Sequence, residues 1–116
     1  MTVGFMIRTG PYTSQNVDTF YEIAKRLLKK GHNVKAFLYE DGVLNVNSKI
    51  NPPGERNIRD RMQELIDLGA EIKLCGICAK FRGQKKSDTI ESVKHAGMAF
   101  LVSLIEKSDR FLSFGF

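Results

Sequence analysis

The chain is poor in the residues that build a structural metal site. Its 116 residues include two cysteines and two histidines, whereas a structural zinc site wants four ligands, and His32 and His95 stand in no finger-like spacing to the cysteines. No metal site is expected. No Gly-x-Gly-x-x-Gly fingerprint follows the first strand candidate and no Gly-x-x-x-x-Gly-Lys-Ser/Thr loop occurs, so neither a dinucleotide nor a P-loop phosphate finds its usual cradle. The longest nearly apolar run, Ala96 to Ile105, is about half of the ~20 residues a bilayer-spanning helix needs. The start, Met1 to Arg8, has neither a basic head nor a small-residue cleavage site. These absences lead to the expectation of a soluble, cytoplasmic protein without a membrane association. Internal repeats and low-complexity tracts are also lacking.

What remains is ordinary globular composition, 42% hydrophobic and 27% charged, in a length that accommodates one core, so residues 1–116 are read as a single domain. The net charge of +5 comes from 18 basic and 13 acidic residues. Lys80, Arg82, Lys85 and Lys86 crowd directly behind the two cysteines. Phe81 is the only aromatic among them, which makes a poor stacking platform, and direct nucleic-acid binding is not expected.

Hydrophobic periodicity orders the chain. Val3 to Arg8 reads as a buried strand ending at Thr9-Gly10-Pro11. A helix follows from Ser14, its N-cap candidate, with Val17, Phe20, Ala24, Leu27 and Leu28 on one face and a stop at Gly31. Val34 to Tyr39 reads as a second strand, and residues 42–56 as the most loop-like and mobile stretch. Ile58, Met62, Leu65 and Ile66 mark a second helix ending at Gly69. Ala70 to Leu74 is a third strand running into Cys75, and residues 76–82 make a short helix. Thr89 to Lys94 is ambiguous by periodicity. Met98, Leu101, Val102 and Ile105 line a last helix before a closing strand near Arg110 to Phe114. Such alternation predicts a parallel sheet with helices on both faces. Ligand sites in open sheets lie beyond the carboxyl ends of strands, which nominates Thr9 to Ser14, Tyr39 to Gly42, Cys75 to Cys78 and His95 to Gly97.

Within that set the chemistry belongs to Cys75-Gly76-Ile77-Cys78. A cysteine at the start of a helix and beside Lys80 and Arg82 has surroundings that favour thiolate over thiol. The competing readings are two small buried apolar side chains, which suits Cys78 better than Cys75, and a thioredoxin-type dithiol. The dithiol reading is weakened because the motif arrives after about two thirds of the chain, and Pro11, Pro52 and Pro53 all precede it, leaving no downstream proline to face the sulfurs.

Taken together, the chain resembles the DsrE/TusD-like sulfur-relay proteins. The resemblance rests on Gly4 to Tyr12 as first strand and loop, on Phe37-Leu38-Tyr39-Glu40-Asp41-Gly42-Val43-Leu44-Asn45-Val46-Asn47, and on Cys75 followed at the family's interval by Arg82-Gly83. The final stretch, Leu101 through Ser108-Asp109-Arg110-Phe111-Leu112-Ser113-Phe114, is similar to the family's last helix and strand. It implies a three-layer α/β/α domain with a flavodoxin-like parallel sheet of about five strands, with Thr89 to Lys94 as the fourth. It further implies homo-oligomers, or hexamers with related subunits, and a sulfurtransferase-like persulfide carrier that needs no cofactor. Cys75 would accept sulfane sulfur from an upstream persulfide donor protein and pass it to a downstream acceptor, in tRNA thiolation or sulfur oxidation. Cys78 departs from the TusD pattern and is carried as accessory, with thiol-disulfide oxidoreductase or non-catalytic assembly subunit as the alternative functions. Tyr12, Arg82 and His95 are site neighbours, Arg82 in a structural or electrostatic role.

Overall fold

The computed structural model describes residues 1–116. Five strands, β1 (Thr2–Ile7), β2 (Asn33–Leu38), β3 (Glu71–Cys75), β4 (Lys94–Ala96) and β5 (Arg110–Phe114), alternate with helices α1 (Asn16–Lys29), α2 (Ile58–Asp67), α3 (Gly76–Phe81) and α4 (Met98–Lys107). All strand pairs are parallel and the sheet order is β4-β3-β2-β1-β5. The order therefore reverses at β1, whose neighbours are β2 and the last strand.

The register explains the layering. Phe5 pairs with Ala36 and Ile7 with Leu38, while Ala36 pairs with Ile72 and Leu38 with Leu74, so one face of three central strands is a continuous apolar surface. Helix α1 covers it, with Phe20 meeting Phe5 edge-on at a ring distance of 4.9 Å. Helix α2 lies alongside α1, tied by Tyr21 Oη donating to Glu64 at 2.7 Å and by Lys25 to the same carboxylate at 2.8 Å. The opposite face carries Gly4 and Phe37 and is covered by α4. Phe37 and Phe100 rings are 5.7 Å apart, and a Cβ on Gly4 would fall 2.4 Å from Ser108 Oγ. That lone glycine lets the last crossover lie close against the sheet.

Several local expectations change. Helix α1 begins at Asn16 after Gln15, and Ser14 Oγ accepts the Asn16 N–H at 3.2 Å rather than capping from the N-cap position. The region from Gly42 onward is no uniform loop: Glu40–Val46 is a 3-10 helix with Val43, Asn45 and Val46 wholly buried. Thr89 to Lys94 is not the fourth strand. Thr89 makes an antiparallel bridge with Asn47, and the Ile90 N–H goes to Val46 O, so pairing with β3 begins only at Lys94, opposite Lys73. Finally, Met98, Val102 and Ile105 do not face the core. Leu104 is the buried residue of α4, and the other three stand half-exposed or more. No helix is long and apolar enough to cross a membrane.

Candidate functional site

The short strand β3 ends in Cys75, and the chain turns at once into α3 with Cys75 as its N-cap. Residues at N-caps normally offer a side-chain oxygen to an orphan backbone donor. Here sulfur takes that place, Cys75 Sγ accepting the Cys78 N–H at 3.4 Å. Gly76 and Ile77 between the cysteines give one turn, which sets Cys78 beneath the first. Both are free thiols, 7% and 8% exposed respectively, so the single chain leaves only a narrow approach to either sulfur.

The two cysteines have different surroundings. Burial, followed by the adjacent Cys75 sulfur, pushes the Cys78 thiol above its ordinary range, and the Glu40 backbone N–H and the Arg82 charge oppose this without overcoming it. Cys78 is therefore a protonated thiol at neutral pH. A neutral neighbour places no charge beside Cys75 and supplies an S–H that can donate to it.

The loop after β2 holds this arrangement. Glu40 adopts φ +52, a left-handed conformation uncommon for a side chain that large, and Gly42 presses against the end of β1, where a Cβ would lie 2.0 Å from Ile7 O. Asp41 receives the Arg82 Nε–H at 2.7 Å, and the same guanidinium donates to Cys78 O at 3.1 Å. Arg82 thus ties the end of α3 to the β2 loop. Gln84, nearly buried, adds a second tie by donating to Val43 O at 2.8 Å.

His95 lies on the other side. Its pairing opposite Leu74 sets it beside the end of β3, and a Cβ on Gly76 would meet its Cδ2 at 3.6 Å. Burial first, then the Lys86 and Lys80 charges, lowers its pKa, so the imidazole is neutral at pH 7. Tyr12 is turned to a different task. Its hydroxyl donates to Arg56 O at 2.7 Å and accepts the Ile58 N–H at 3.1 Å, fastening the β1 loop to the start of α2.

The four nominated loops thus share the carboxyl edge of the sheet. Asn45 joins the first two through Thr9 O at 2.9 Å and Gly42 O at 3.0 Å. A cavity of about 210 Å³ opens where strand order reverses, lined in part by Thr9, Thr13, Asp41 and Arg82. The cysteines, Arg82 and His95 that the sequence nominated lie at this edge together with Gln84 and Asn45, which the sequence reading did not single out as site residues. Their roles arise from contacts spanning 36 to 41 residues; the Glu-Asp-Gly turn was the only local signal. No three His, Cys, Asp or Glu side chains converge as a metal-binding group.

Comparison with known proteins follows the same outline. The sequence model of the DsrE/DsrF-like family matches residues 1–114. The chain is 30% identical to the putative sulfurtransferase DsrE of Allochromatium vinosum over 129 aligned positions, which cover 99% of both chains. It is 35% identical to the sulfurtransferase TusD of Serratia proteamaculans over 82 positions, 67% of this chain and 64% of that one. Among solved structures, the ychN protein of E. coli superposes with a TM-score of 0.91 at 22% identity, covering 98% of this chain and 99% of its own, a likeness of fold.

Proposed function

We propose that this chain, which belongs to the DsrE/DsrF-like family, is a sulfur-relay protein that carries sulfane sulfur as a persulfide on Cys75. The observation that carries the reading is the unequal cysteine pair: one sulfur caps a helix and accepts a backbone N–H, while its neighbour is held as a thiol. A relative named as a putative sulfurtransferase, aligned over nearly the whole chain, supports this reaction class.

The chemistry asks little more of the protein. The Cys75 thiolate attacks the outer sulfur of a donor R–S–SH, the donor's S–S bond breaks, and RS⁻ leaves while the outer sulfur keeps its hydrogen in Cys75–S–SH. The sulfur moves without change of oxidation level. An acceptor thiolate repeats the exchange on the outer sulfur of Cys75–S–SH. The Cys78 N–H already donates to Cys75 Sγ, the atom that would become the inner sulfur, and the neutral Cys78 thiol would spare a persulfide anion a like-charged neighbour.

A relay needs docking surfaces, and the single chain has apolar ones to spare. Ile77 and Phe81 on α3 are 65% and 83% exposed, and Met98, Val102 and Ile105 form a stripe along α4. Contiguous apolar surface of this kind marks protein contacts, and we assign it to assembly with further copies or related subunits. The donor and acceptor are relay partners of the same chemistry, whether the sulfur ends in tRNA thiolation or in sulfur oxidation.

The test is intact-mass measurement after incubation with a cysteine desulfurase and cysteine, in the parent, Cys75→Ser and Cys78→Ser. One added sulfur, mapped to Cys75 and lost only in Cys75→Ser, is expected. A label lost only in Cys78→Ser reverses the assignment. Rapid conversion to a Cys75–Cys78 disulfide with catalytic reduction of external disulfides would instead establish a dithiol oxidoreductase.

A further inference from the structure

Cys78 takes no covalent part in the relay steps, yet it stands where a second nucleophile would. The chain has only two cysteines, so each has a single possible thiol partner within the molecule. The extended backbone at Cys75, φ −71 and ψ 114, turns its sulfur back over the first turn of α3 and against the Cys78 N–H at 3.4 Å. A hydrogen bond between the two side chains is among the causes that raise the Cys78 thiol, so the sulfurs face each other. A disulfide needs Cα atoms roughly 4.4–6.8 Å apart, and residues three apart on a helical turn are neighbours at about that spacing. The pair is within bridging range.

We propose that Cys78 is a resolving thiol that attacks Cys75–S–SH at the inner sulfur, releases the outer sulfur as hydrosulfide and leaves a Cys75–Cys78 disulfide. The proposal rests on Cys75 being the sulfur carrier and adds the fate of a persulfide that no acceptor claims. Cys78–S⁻ forms the new S–S bond as the persulfide S–S bond breaks, and HS⁻ leaves with the electron pair and its hydrogen. Two electrons pass from the cysteine sulfurs to the sulfane sulfur, so one discharge needs no external oxidant or reductant. Position decides which sulfur is attacked. Cys75 Sγ, the inner atom, is the one in contact with Cys78, whereas a protein acceptor comes from solvent and meets the outer atom first.

The step is gated by protonation, because only the thiolate attacks. The ionisable groups around Cys78 are Cys75 at the end of β3, Lys80 on α3 and Arg82 just past it, Glu40 and Asp41 on the loop after β2, and His95 of β4 against Gly76. Asp41 is paired with Arg82 and Glu40 with Arg8. Burial outweighs the Arg82 charge and holds the thiol above 9.0, so less than about 1% of it is thiolate at pH 7. A docked acceptor with a ready thiolate outruns it. A stranded persulfide still drains, since an intramolecular nucleophile acts at high effective concentration.

The experiment loads the parent, Cys78→Ser and Cys78→Ala with a cysteine desulfurase and cysteine, or with inorganic polysulfide. Each is freed of donor by gel filtration and followed without acceptor by intact mass and a sulfide assay. The parent is expected to pass from one sulfur heavier to two hydrogens lighter than the reduced chain, releasing one sulfide for each disulfide formed. Near pH ~9 this should run at least ~10-fold faster than either variant loses its sulfur, and slow by ~10-fold for each pH unit below that. The variants should keep their sulfur and lack that slope. Diamide gives an independent measure of reach, and should remove two hydrogens from the unloaded parent within a single chain. If diamide closes no such bridge, the sulfurs are out of range and the discharge is refuted. If the loaded parent holds its sulfur as long as Cys78→Ser, the discharge is refuted and carriage stands. If no form gains sulfur although diamide bridges the parent, the carrier reading fails and the discharge falls with it.

Discussion

Replacing Gly42 by alanine tests whether the β2 loop sets the environment of the cysteine pair. The new Cβ would lie 2.0 Å from Ile7 O, against an ordinary contact that begins near 3.4 Å, a deficit of 1.4 Å. Both sides of the clash are backbone, so no rotamer relieves it and the loop must withdraw from β1. Withdrawal strains the Tyr39 N–H to Ile7 O bond, now 2.9 Å, and pulls Asp41 from Arg82 and the Glu40 N–H from Cys78. Overpacking of about 1–3 kcal/mol together with one or two hydrogen bonds of about 1 kcal/mol each gives a loss of about 3 kcal/mol. For a domain of this size that is a fall of roughly 10–15 °C in Tm. Thermal unfolding measures the loss, and alkylation of Cys78 below the transition measures the local opening, which should quicken. Gly10→Ala is the control, because its Cβ would meet nothing nearer than 3.4 Å and its cost should stay below about 1 kcal/mol. A Gly42→Ala protein that melts within ~2 °C of the parent, or a Gly10→Ala protein equally damaged, refutes the reasoning.

Three further outcomes follow from the same geometry. Because the folded Cys78 thiol titrates above its ordinary value of 9.0, the unfolded chain loses that proton first as pH rises. Stability contributed by this group is then present below pH ~9 and falls above it by up to ~1.4 kcal/mol per pH unit, until the folded thiol also ionises. Urea unfolding between pH 8 and 10 should show that slope in the parent and lose it in Cys78→Ala. The His95 pKa, lowered by burial and by Lys86 and Lys80, should move upward in a Lys80→Gln, Lys86→Gln variant, as read by NMR titration of the ring; an unmoved pKa would show that the lysine heads do not converge on it. Val102→Lys with Ile105→Lys removes apolar area from the exposed stripe of α4 while sparing buried Leu104. Sedimentation should show an assembly in the parent and smaller species in the variant, with the chain still folded.

The strands, helices and cysteine motif of this chain are legible because each depends on neighbours in sequence. Short apolar runs bounded by turn residues marked β1, β2 and β3, a 3.6-residue period set α1 and α2, and the step from an apolar run into Cys75-Gly76 marked a strand end. Where the reading failed, local signal and tertiary demand diverged. Gly42 to Val46 looks like loop by composition, yet Val43, Asn45 and Val46 are buried because the turn is folded back onto β1. Thr89 to Lys94 has strand-like residues, yet Thr89 is engaged by Asn47 and pairing with β3 waits until Lys94. The apolar stripe of α4 is periodic but faces outward, since periodicity fixes which residues share a face and not what covers that face.

The same division holds at the site. Sequence alone determined that a cysteine would stand at the carboxyl end of a strand, with a second one helical turn away and a cluster of lysines behind them, because those relations are spacings along one short segment. Only the tertiary structure decided that burial raises the Cys78 thiol, that Arg82 is spent on Asp41 and Cys78 O, and that Tyr12 is tied to Arg56 and Ile58. Burial and electric field depend on which distant residues are brought within a few ångströms, and that is fixed by sheet order and loop packing, which no single segment encodes.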